Sequence, residues 1–497
     1  LKSAPAIAVA SLSGLALNLA FPQIDLFWVA WIALLPLLLL LRGAGWRRGL
    51  LVGYAFGLGF FGLLISWISI VGWLAWFFSV LVEASFIGLF GLLWGATSSR
   101  GNVVGRILMP AVLWVAVEFL RSLVPFHGLT WGELAQSQHN FPYLLKLAGL
   151  AGGWTLSFLL VALNAAVGEV LLLARGGARR TAALVALSIA IAGVLPSLYP
   201  TTVASGAPVK VAIVQGNLPE HMDPSFEKDL IILHSHADLT KKLAGRGVGL
   251  VVWPESSVGI DPTRNPQIAR EVTDAARAAG APMVVGGNGD VDDSHYKVEA
   301  FQVDPQQGFV DTYQKTHLVP FGEYLPGRRL LDWIPMLDQI PADAVAGTER
   351  TLFHVAGGTV APVLSFEGDF GSLVRQRIAD GGRLLVVATN TSTWGRTWAS
   401  AQHAAFSQVR AAENGVWVIH AALSGISEVI APDGTVAASA PLYQKAILIQ
   451  TVHFADGVTP YARLGDWLPL LCAFLSLAWI VFAVSRRKRG DTVTRWQ

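Results

Sequence analysis

The sequence predicts an integral membrane bundle of eight helices plus a separate α/β domain held outside the cytoplasm. Three observations carry this. The 497-residue chain is 53% hydrophobic and only 14% charged, against roughly 25% charge in an ordinary soluble domain. The apolar excess is concentrated: residues 1–199 and 466–485 are almost wholly apolar, whereas 205–455 read like a soluble protein. Within that middle stretch, short apolar runs alternate with amphipathic ones, the pattern of a sheet layered with helices. The same composition excludes a disordered chain and a purely soluble enzyme. A net charge of +2 excludes a basic nucleic-acid-binding face. The single cysteine, Cys472, excludes an intrachain disulfide and a cysteine-based metal site.

A spanning helix needs about 20 mostly apolar residues. Eight stretches qualify: 4–21, 26–41, 50–70, 72–97, 107–124, 142–174, 181–199 and 466–485. The sixth is long enough to require tilt or an interfacial part. The first lacks the basic run that precedes a signal peptide's apolar core. Basic residues cluster after the even-numbered stretches: Arg42, Arg47 and Arg48; Arg100 and Arg106; Arg175, Arg179 and Arg180; Arg486, Arg487, Lys488 and Arg489. Lys and Arg favour cytoplasmic loops, so both termini are expected in the cytoplasm and residues 200–465 outside. Arg121, at the outer end of the fifth stretch, is the exception. The expected division is a membrane domain of seven spans over 1–204, an extracytoplasmic domain over 205–455, and a last span with a basic cytoplasmic tail over 456–497.

Glu83, Glu118, Arg121, Lys146 and Glu169 lie in or beside these spans. A charge at the bilayer centre costs about 2.5–3.5 kcal/mol even on the mildest scale. These groups should therefore face the bundle or a polar cavity, unless they snorkel to the interface, as Lys146 can.

In the middle stretch, 209–215, 250–253, 282–286, 300–303, 360–364 and 384–389 read as strands, and 226–244, 265–279 and 401–414 as helices. Functional residues of α/β folds cluster just past strand C-termini. Glu255, in Trp253-Pro254-Glu255, is a candidate base or an acid near a helix N-terminus. The run from Tyr313 to Tyr324 packs Lys315, His317 and Glu323 among aromatic, Pro and Gly residues. Ser365, followed by Phe366 and Glu367, is a candidate nucleophile or a turn residue. No His–Asp pair stands at a spacing that would make a serine-hydrolase triad with it. His234 and His236, two apart on a predicted helix, face different sides and argue against a metal site. His317, His403 and His420 read as packing or loop residues.

At these three segments the chain resembles the carbon–nitrogen hydrolase (nitrilase) superfamily. With eight spans and the domain inserted before the last, it resembles the bacterial apolipoprotein N-acyltransferases. Phe21-Pro22, Trp31, Pro36, Ser66-Trp67-Ile68 and Glu118-Phe119-Leu120-Arg121 carry the likeness in the apolar half. Val214-Gln215-Gly216-Asn217, Trp253-Pro254-Glu255, Ser424-Gly425-Ile426-Ser427, Pro432-Asp433-Gly434, Tyr461 and Gly465-Asp466-Trp467 carry it beyond. The lysine segment, Lys315 to Pro326, matches almost without gaps. The departure lies on the nucleophile side. The family's Ile-Cys-Tyr-Glu reads Leu364-Ser365-Phe366-Glu367 here, so Ser365 stands for the cysteine, and Cys472 lies in the last span. Asn390-Thr391-Ser392-Thr393-Trp394-Gly395 and Tyr296-Lys297-Val298 also differ from the family's usual segments.

The resemblance implies a nitrilase-like α-β-β-α sandwich and ping-pong acyl transfer without a cofactor or metal. An acyl chain would pass from a phospholipid to the nucleophile, then to the α-amine of a diacylglyceryl-cysteine lipoprotein. Glu255 would be general base and then acid. Lys315, helped by a backbone N–H near Phe366, would stabilise the oxyanion. Glu367 would orient Lys315, and Glu323 would support the site. The expected setting is a bacterial inner or plasma membrane, with membrane lipids as neighbours, no nucleic-acid partner and a monomeric chain. The serine leaves alternatives: a slow serine-dependent transferase, an engineered Cys-to-Ser variant, or a pseudoenzyme. The last would bind lipid or scaffold a partner such as a polyprenyl-phosphate mannosyltransferase. A membrane-tethered amidase is a further reading, although eight spans exceed what a tether requires. Residues 326–350, with Trp333 and Met336, are expected either to cover the site as an apolar lid or to pack as a surface loop.

Overall fold

The apolar ends of the chain and its polar middle form separate units. The computed structural model describes residues 3–22, 24–99, 101–198, 205–218, 225–331 and 342–493. One unit comprises Leu1–Pro200 with Leu464–Gln497, the other Thr201–Arg463.

The first unit is helical. It holds α1 (Ser3–Leu17), α2 (Leu35–Leu41), α3 (Trp46–Leu64), α4 (Trp73–Thr97), α5 (Val103–Arg121), the short α6 (Pro142–Leu145) and α7 (Ala148–Ala151), α8 (Trp154–Gly168), α9 (Gly176–Val194) and the final helix Trp467–Val493. Four helical stretches among the described residues are long and apolar enough to cross a membrane: Trp73–Thr97, Val103–Arg121, Trp154–Leu172 and Gly176–Val194. Ala4–Ala20, Phe27–Leu41 and Trp467–Ala483 are shorter apolar helices. Three expected spans are not continuous helices. The stretch 50–70 is α3 to Leu64 and then, after Ile65, a 3₁₀ segment over Ser66–Ile70. The stretch 26–41 is a 3₁₀ turn over Phe27–Trp31 followed by α2. The stretch 142–174 begins with α6 and α7 and breaks at Gly152, whose φ of 77° ends α7 before α8 starts.

Where α3 crosses α4, backbone meets backbone. A Cβ on Gly53 would lie 3.0 Å from the Gly91 Cα, and one on Gly95 would lie 3.0 Å from the Gly49 Cα. Glycines four residues apart along each helix (Gly49 and Gly53, Gly91 and Gly95) give this approach, as at small-residue helix crossings in membranes. Glu83, Glu118, Arg121 and Glu169 are bonded inside the unit. Arg121 Nη1 donates to Glu83 Oε2 (3.0 Å) and to the carbonyls of Leu129 (2.9 Å) and Trp131 (2.7 Å). Glu118 accepts from the Leu134 N–H at 2.9 Å. Arg42 and Arg106 both reach Glu169. Residues 130–139 are non-helical or 3₁₀ yet buried throughout. Their backbone and side chains bond to one another and to the helices, the condition for irregular chain within such a bundle.

The second unit is a pair of sheets. The first runs in the order β13 (Ala446–His453), β1 (Pro208–Gln215), β2 (Leu250–Val258), β3 (Met283–Asp292), β4 (His295–Asp304), β5 (Gly308–Gln314), with β6 (Asp343–Ala344) also on β4. The second runs β12 (Val436–Ala440), β11 (Ser427–Ile430), β10 (Val418–Ala422), β9 (Leu384–Thr389), β8 (Gly358–Leu364), β7 (Phe353–Val355). Strands β1–β2–β3 and β8–β9–β10 are parallel, and the rest pair antiparallel apart from β6. The helices are α10 (Phe226–Lys241), α11 (Pro266–Ala279), α12 (Arg328–Leu331), α13 (Gly371–Ala379) and α14 (Ala399–Asn414).

Side-chain period two explains the layering. Val211, Ile213, Leu250, Val252 and Val284 face Val360, Leu364, Leu384, Val386 and Ile419 between the sheets. The alternate residues Ala212, Val214, Val251, Trp253 and Val285 face Leu233, Ala237, Val272 and Ala276 of α10 and α11. On the other side Ala361, Val363, Leu385 and Val387 face Val374, Ile378 and Ala411 of α13 and α14. The central strands are apolar on both faces because both are covered. The result is four layers, helices outside two sheets. The lid expectation over 326–350 falls in large part on 332–341, outside the described residues.

Candidate active site

Glu255 sits near the end of β2. Strict alternation would send it to the helix side with Val251 and Trp253. Instead the pairing of β2 with β3 slips between Trp253 and Val258, and Ser256 takes a φ of 60°. This irregularity re-aims the carboxylate. Its Oε2 accepts from the backbone N–H of Asn390, just past β9 in the other sheet, at 3.0 Å. Gly286 makes room, since a Cβ there would lie 2.6 Å from the Glu255 Cα.

Lys315 follows β5 directly and is wholly buried. Its ammonium lies 3.1 Å from Glu255 Oε1 and also bonds Glu323 Oε1. Glu323 is fixed in turn by the Val319 N–H at 2.9 Å. The ammonium thus fills the space between two carboxylates. Burial pushes the Glu255 carboxyl above its usual range, with the Lys315 charge pulling it partway back. Burial also works against the charge on Lys315, but Glu255 and Glu323 outweigh it and hold the ammonium protonated well above the usual lysine range. Burial, then the Glu323 charge, raises the Tyr296 phenol to about 12.

Ser365 opens a 3₁₀ turn, Ser365–Asp369, at the end of β8. Its φ of 47° is in the left-handed region, uncommon for a residue with a Cβ. Its Oγ accepts from the Thr389 hydroxyl at 3.1 Å. Two consecutive residues therefore hold the two groups: Thr389 the serine, Asn390 the Glu255 carboxylate. Phe366 packs its ring on Phe370 (4.8 Å between centroids) and near His317 (5.8 Å).

Glu367 makes no direct bond to Lys315. Its Oε1 accepts from the Thr316 N–H (2.8 Å), the Thr316 hydroxyl (2.9 Å), the His317 N–H (3.1 Å) and the Tyr313 hydroxyl (2.6 Å), and its Oε2 from the Leu364 N–H (2.8 Å). Its grip on Lys315 is through the backbone on either side, whereas Glu323 is the residue that touches the ammonium. Arg377 bonds the Tyr313 hydroxyl and lies over its ring. Reading the sequence for ionisable side chains missed Thr389, the Asn390 N–H and Arg377. The first two are strand-end residues whose role lies in a hydroxyl and a backbone N–H.

The two halves of the chain match two families. Residues 13–166 match the apolipoprotein N-acyltransferase N-terminal domain, and residues 210–459 match the carbon-nitrogen hydrolases. A relative from Geobacter metallireducens named apolipoprotein N-acyltransferase is 31% identical, over 97% of this chain and 95% of its own. The chain belongs to the apolipoprotein N-acyltransferases. Relatives of the same name from Methylococcus capsulatus (31% identical, 98% of this chain and 97% of theirs) and Mycolicibacterium smegmatis (32%, 97% and 87%) agree. The second unit is accordingly the nitrilase-like α/β domain of an acyltransferase, and the first the helical part that these membrane enzymes carry.

Proposed function

We propose that the chain moves an acyl chain from a phospholipid to the α-amine of a diacylglyceryl-cysteine lipoprotein, with Ser365 as the nucleophile. The observation that carries this is the buried Glu255–Lys315–Glu323 cluster joined to Ser365 through Thr389 and Asn390. Ser365 Oγ attacks the ester carbonyl of the phospholipid while Glu255 takes the hydroxyl proton. The Lys315 ammonium stabilises the oxyanion. Collapse expels the lysophospholipid alkoxide, which takes the proton from Glu255, and leaves an acyl ester on Ser365. The lipoprotein amine then attacks this ester and gives its proton to Glu255. The amide forms, and Oγ leaves with the proton restored.

A thiol would be a few per cent ionised at pH 7, whereas a hydroxyl must lose its proton within the transition state. That places the demand on Glu255, whose burial-raised pKa makes it a stronger base than an exposed carboxylate. Glu323 and Glu367 are positioning residues, and Phe366 lies beside the oxyanion position. The reading extends to eight spans in a bacterial inner or plasma membrane, with both termini cytoplasmic and the catalytic domain 205–455 outside. The spans fall in 1–204 and 456–497. The basic clusters and the four long apolar helices support it. The chain acts as a monomer, without metal or cofactor.

Intact-protein mass spectrometry of the full chain after incubation with phospholipid tests this. The expected result is an added acyl mass at Ser365, absent in Ser365→Ala and discharged by a diacylated lipopeptide. No adduct on the unmodified chain, with an adduct on Ser365→Cys, would overturn the serine mechanism and leave the enzyme weakened at its nucleophile.

A further inference from the structure

Behind the candidate site lies a second buried cluster that the mechanism does not use. Asp369, the last residue of the turn that Ser365 opens, is wholly buried. Its carboxylate meets His403 Nδ1 of α14 at 2.8 Å, and His403 is itself 1% exposed. The Trp394 ring stands edge-on to the His403 ring, 5.6 Å between centroids at 88°. Trp394 belongs to the loop after β9, whose first residue, Asn390, holds Glu255 through its N–H. The same helix binds this loop again where the Ser400 hydroxyl donates to Thr391 Oγ1 at 3.1 Å. On its far side His403 packs on His420 (5.1 Å), which is bonded to Ser407 Oγ at 2.8 Å. Arg410 and Glu413, paired at 2.6 Å, complete the charged groups of this face of α14.

One imidazole therefore touches both segments that carry the site's groups. Through Asp369 it braces the turn that carries Ser365. Through Trp394 it braces the loop that holds Glu255. These two parts come from different strands of the second sheet, while the base itself comes from the first. Burial pushes the Asp369 carboxyl up, and the neighbouring His403 draws it back. We propose that His403 is a positioning residue that keeps the Ser365 turn and the Asn390–Trp394 loop in one register. This rests on the reading of Ser365 and Glu255 as nucleophile and base.

The test uses the full chain carrying Ser365→Cys, because thiol labelling reports nucleophile placement without requiring acyl transfer. The one native cysteine, Cys472, is buried. The rate of iodoacetamide labelling at position 365 is measured against pH, alone and combined with His403→Asn or His403→Leu. Asparagine keeps an N–H donor close to the position of Nδ1. It should hold the labelling rate within about threefold and leave the pH profile in place. Leucine should slow labelling about tenfold or more. It should also move the profile to higher pH, as the thiol loses the Lys315 ammonium. A folded His403→Leu chain that labels like its parent overturns the proposal, as does His403→Asn behaving like His403→Leu. Should the leucine variant fail to fold, His403→Gln, whose amide sits one bond farther out, is expected to fall short of asparagine. Equality of the two then overturns it. Failure of the catalytic reading shows separately, as the absence of an acyl adduct on the unmodified chain.

Discussion

Replacing Glu367 by glutamine changes one atom and should unsettle the whole lysine segment. The carboxylate accepts five hydrogen bonds, four on Oε1 and one on Oε2. Glutamine offers one oxygen. If that oxygen takes the Oε1 place, the new NH₂ points at the Leu364 N–H, and two buried donors are left facing each other. Each unsatisfied buried donor costs about 1–3 kcal/mol. The four bonds that survive lose their charge assistance, from about 1.5–3 to about 0.5–1.5 kcal/mol apiece. The reverse orientation strands the Thr316 and His317 N–H groups, while the two hydroxyls can turn to accept from the new NH₂, and is no better. At the low ends the two stranded donors cost about 2 kcal/mol and the four weakened bonds about 4 kcal/mol, so a loss of about 6 kcal/mol follows, with the donors' share of about 2 kcal/mol as the floor. In a domain of this size 1 kcal/mol moves the midpoint about 2–4 °C, so Glu367→Gln should melt about 12–24 °C lower. Thermal unfolding of the purified full chain in detergent, followed by tryptophan fluorescence, measures this. A drop of less than about 4 °C would refute the claim that Glu367 is the anchor of residues 313–317 and of the Ser365 turn.

The other predictions concern charge and packing. The Glu255 carboxyl is raised in the folded protein by burial, so its ionised form is less stable there than in the unfolded chain. That penalty is present above the folded pKa and fades as pH falls through it toward the ordinary 4.5. Glu255→Gln should therefore melt higher than the unmodified chain at pH 7, with the gap closing toward pH 4.5, while acylation is lost. A gap that widens on acidification would contradict the sign. Lys315→Met leaves the buried Glu255 and the partly buried Glu323 carboxylates without their cation and should cut acyl-enzyme formation about 10²-fold or more, read by mass spectrometry under single-turnover conditions. Gly91→Val would force a side chain into the backbone of α3. It should lower the detergent melting temperature of the helical unit by several degrees, whereas Gly62→Ala, with open space at its Cβ, should not.

Much of the α/β domain is legible in the sequence because its central strands are buried on both faces. VKVAIVQ and LLVVAT are continuous apolar runs with no competing helical period. Strands β5, β12 and β13 are less so: their partly exposed residues alternate weakly, and only the partner strand makes them strands. The stretch 142–174 reads as one span because hydropathy does not register the left-handed Gly152 that divides it. At the site, Glu255, Lys315, Glu323, Ser365 and Glu367 stand out as residue types, but their division of labour does not. Spacing along the chain cannot tell that Glu323 meets the ammonium while Glu367 meets the backbone. His403 reads as a packing residue, and only the approach of Asp369 from the end of another segment gives it a role.

The clasp between the two sheets sets the order in which the chain can become dangerous to its own membrane. Glu255 and Lys315 are synthesised with the first sheet, and Ser365, Thr389 and Asn390 with the second. A nascent chain that ends before residue 390 holds Glu255 and Lys315 but lacks the Asn390 N–H that bonds the Glu255 carboxylate. On the proposed reading, lipid-cleaving power therefore arrives late, after the strands of the second sheet are made and β13 (Ala446–His453) can complete the first. On that reading, a copy truncated before Ser365, even one lodged among phospholipids, lacks the nucleophile that would cleave them.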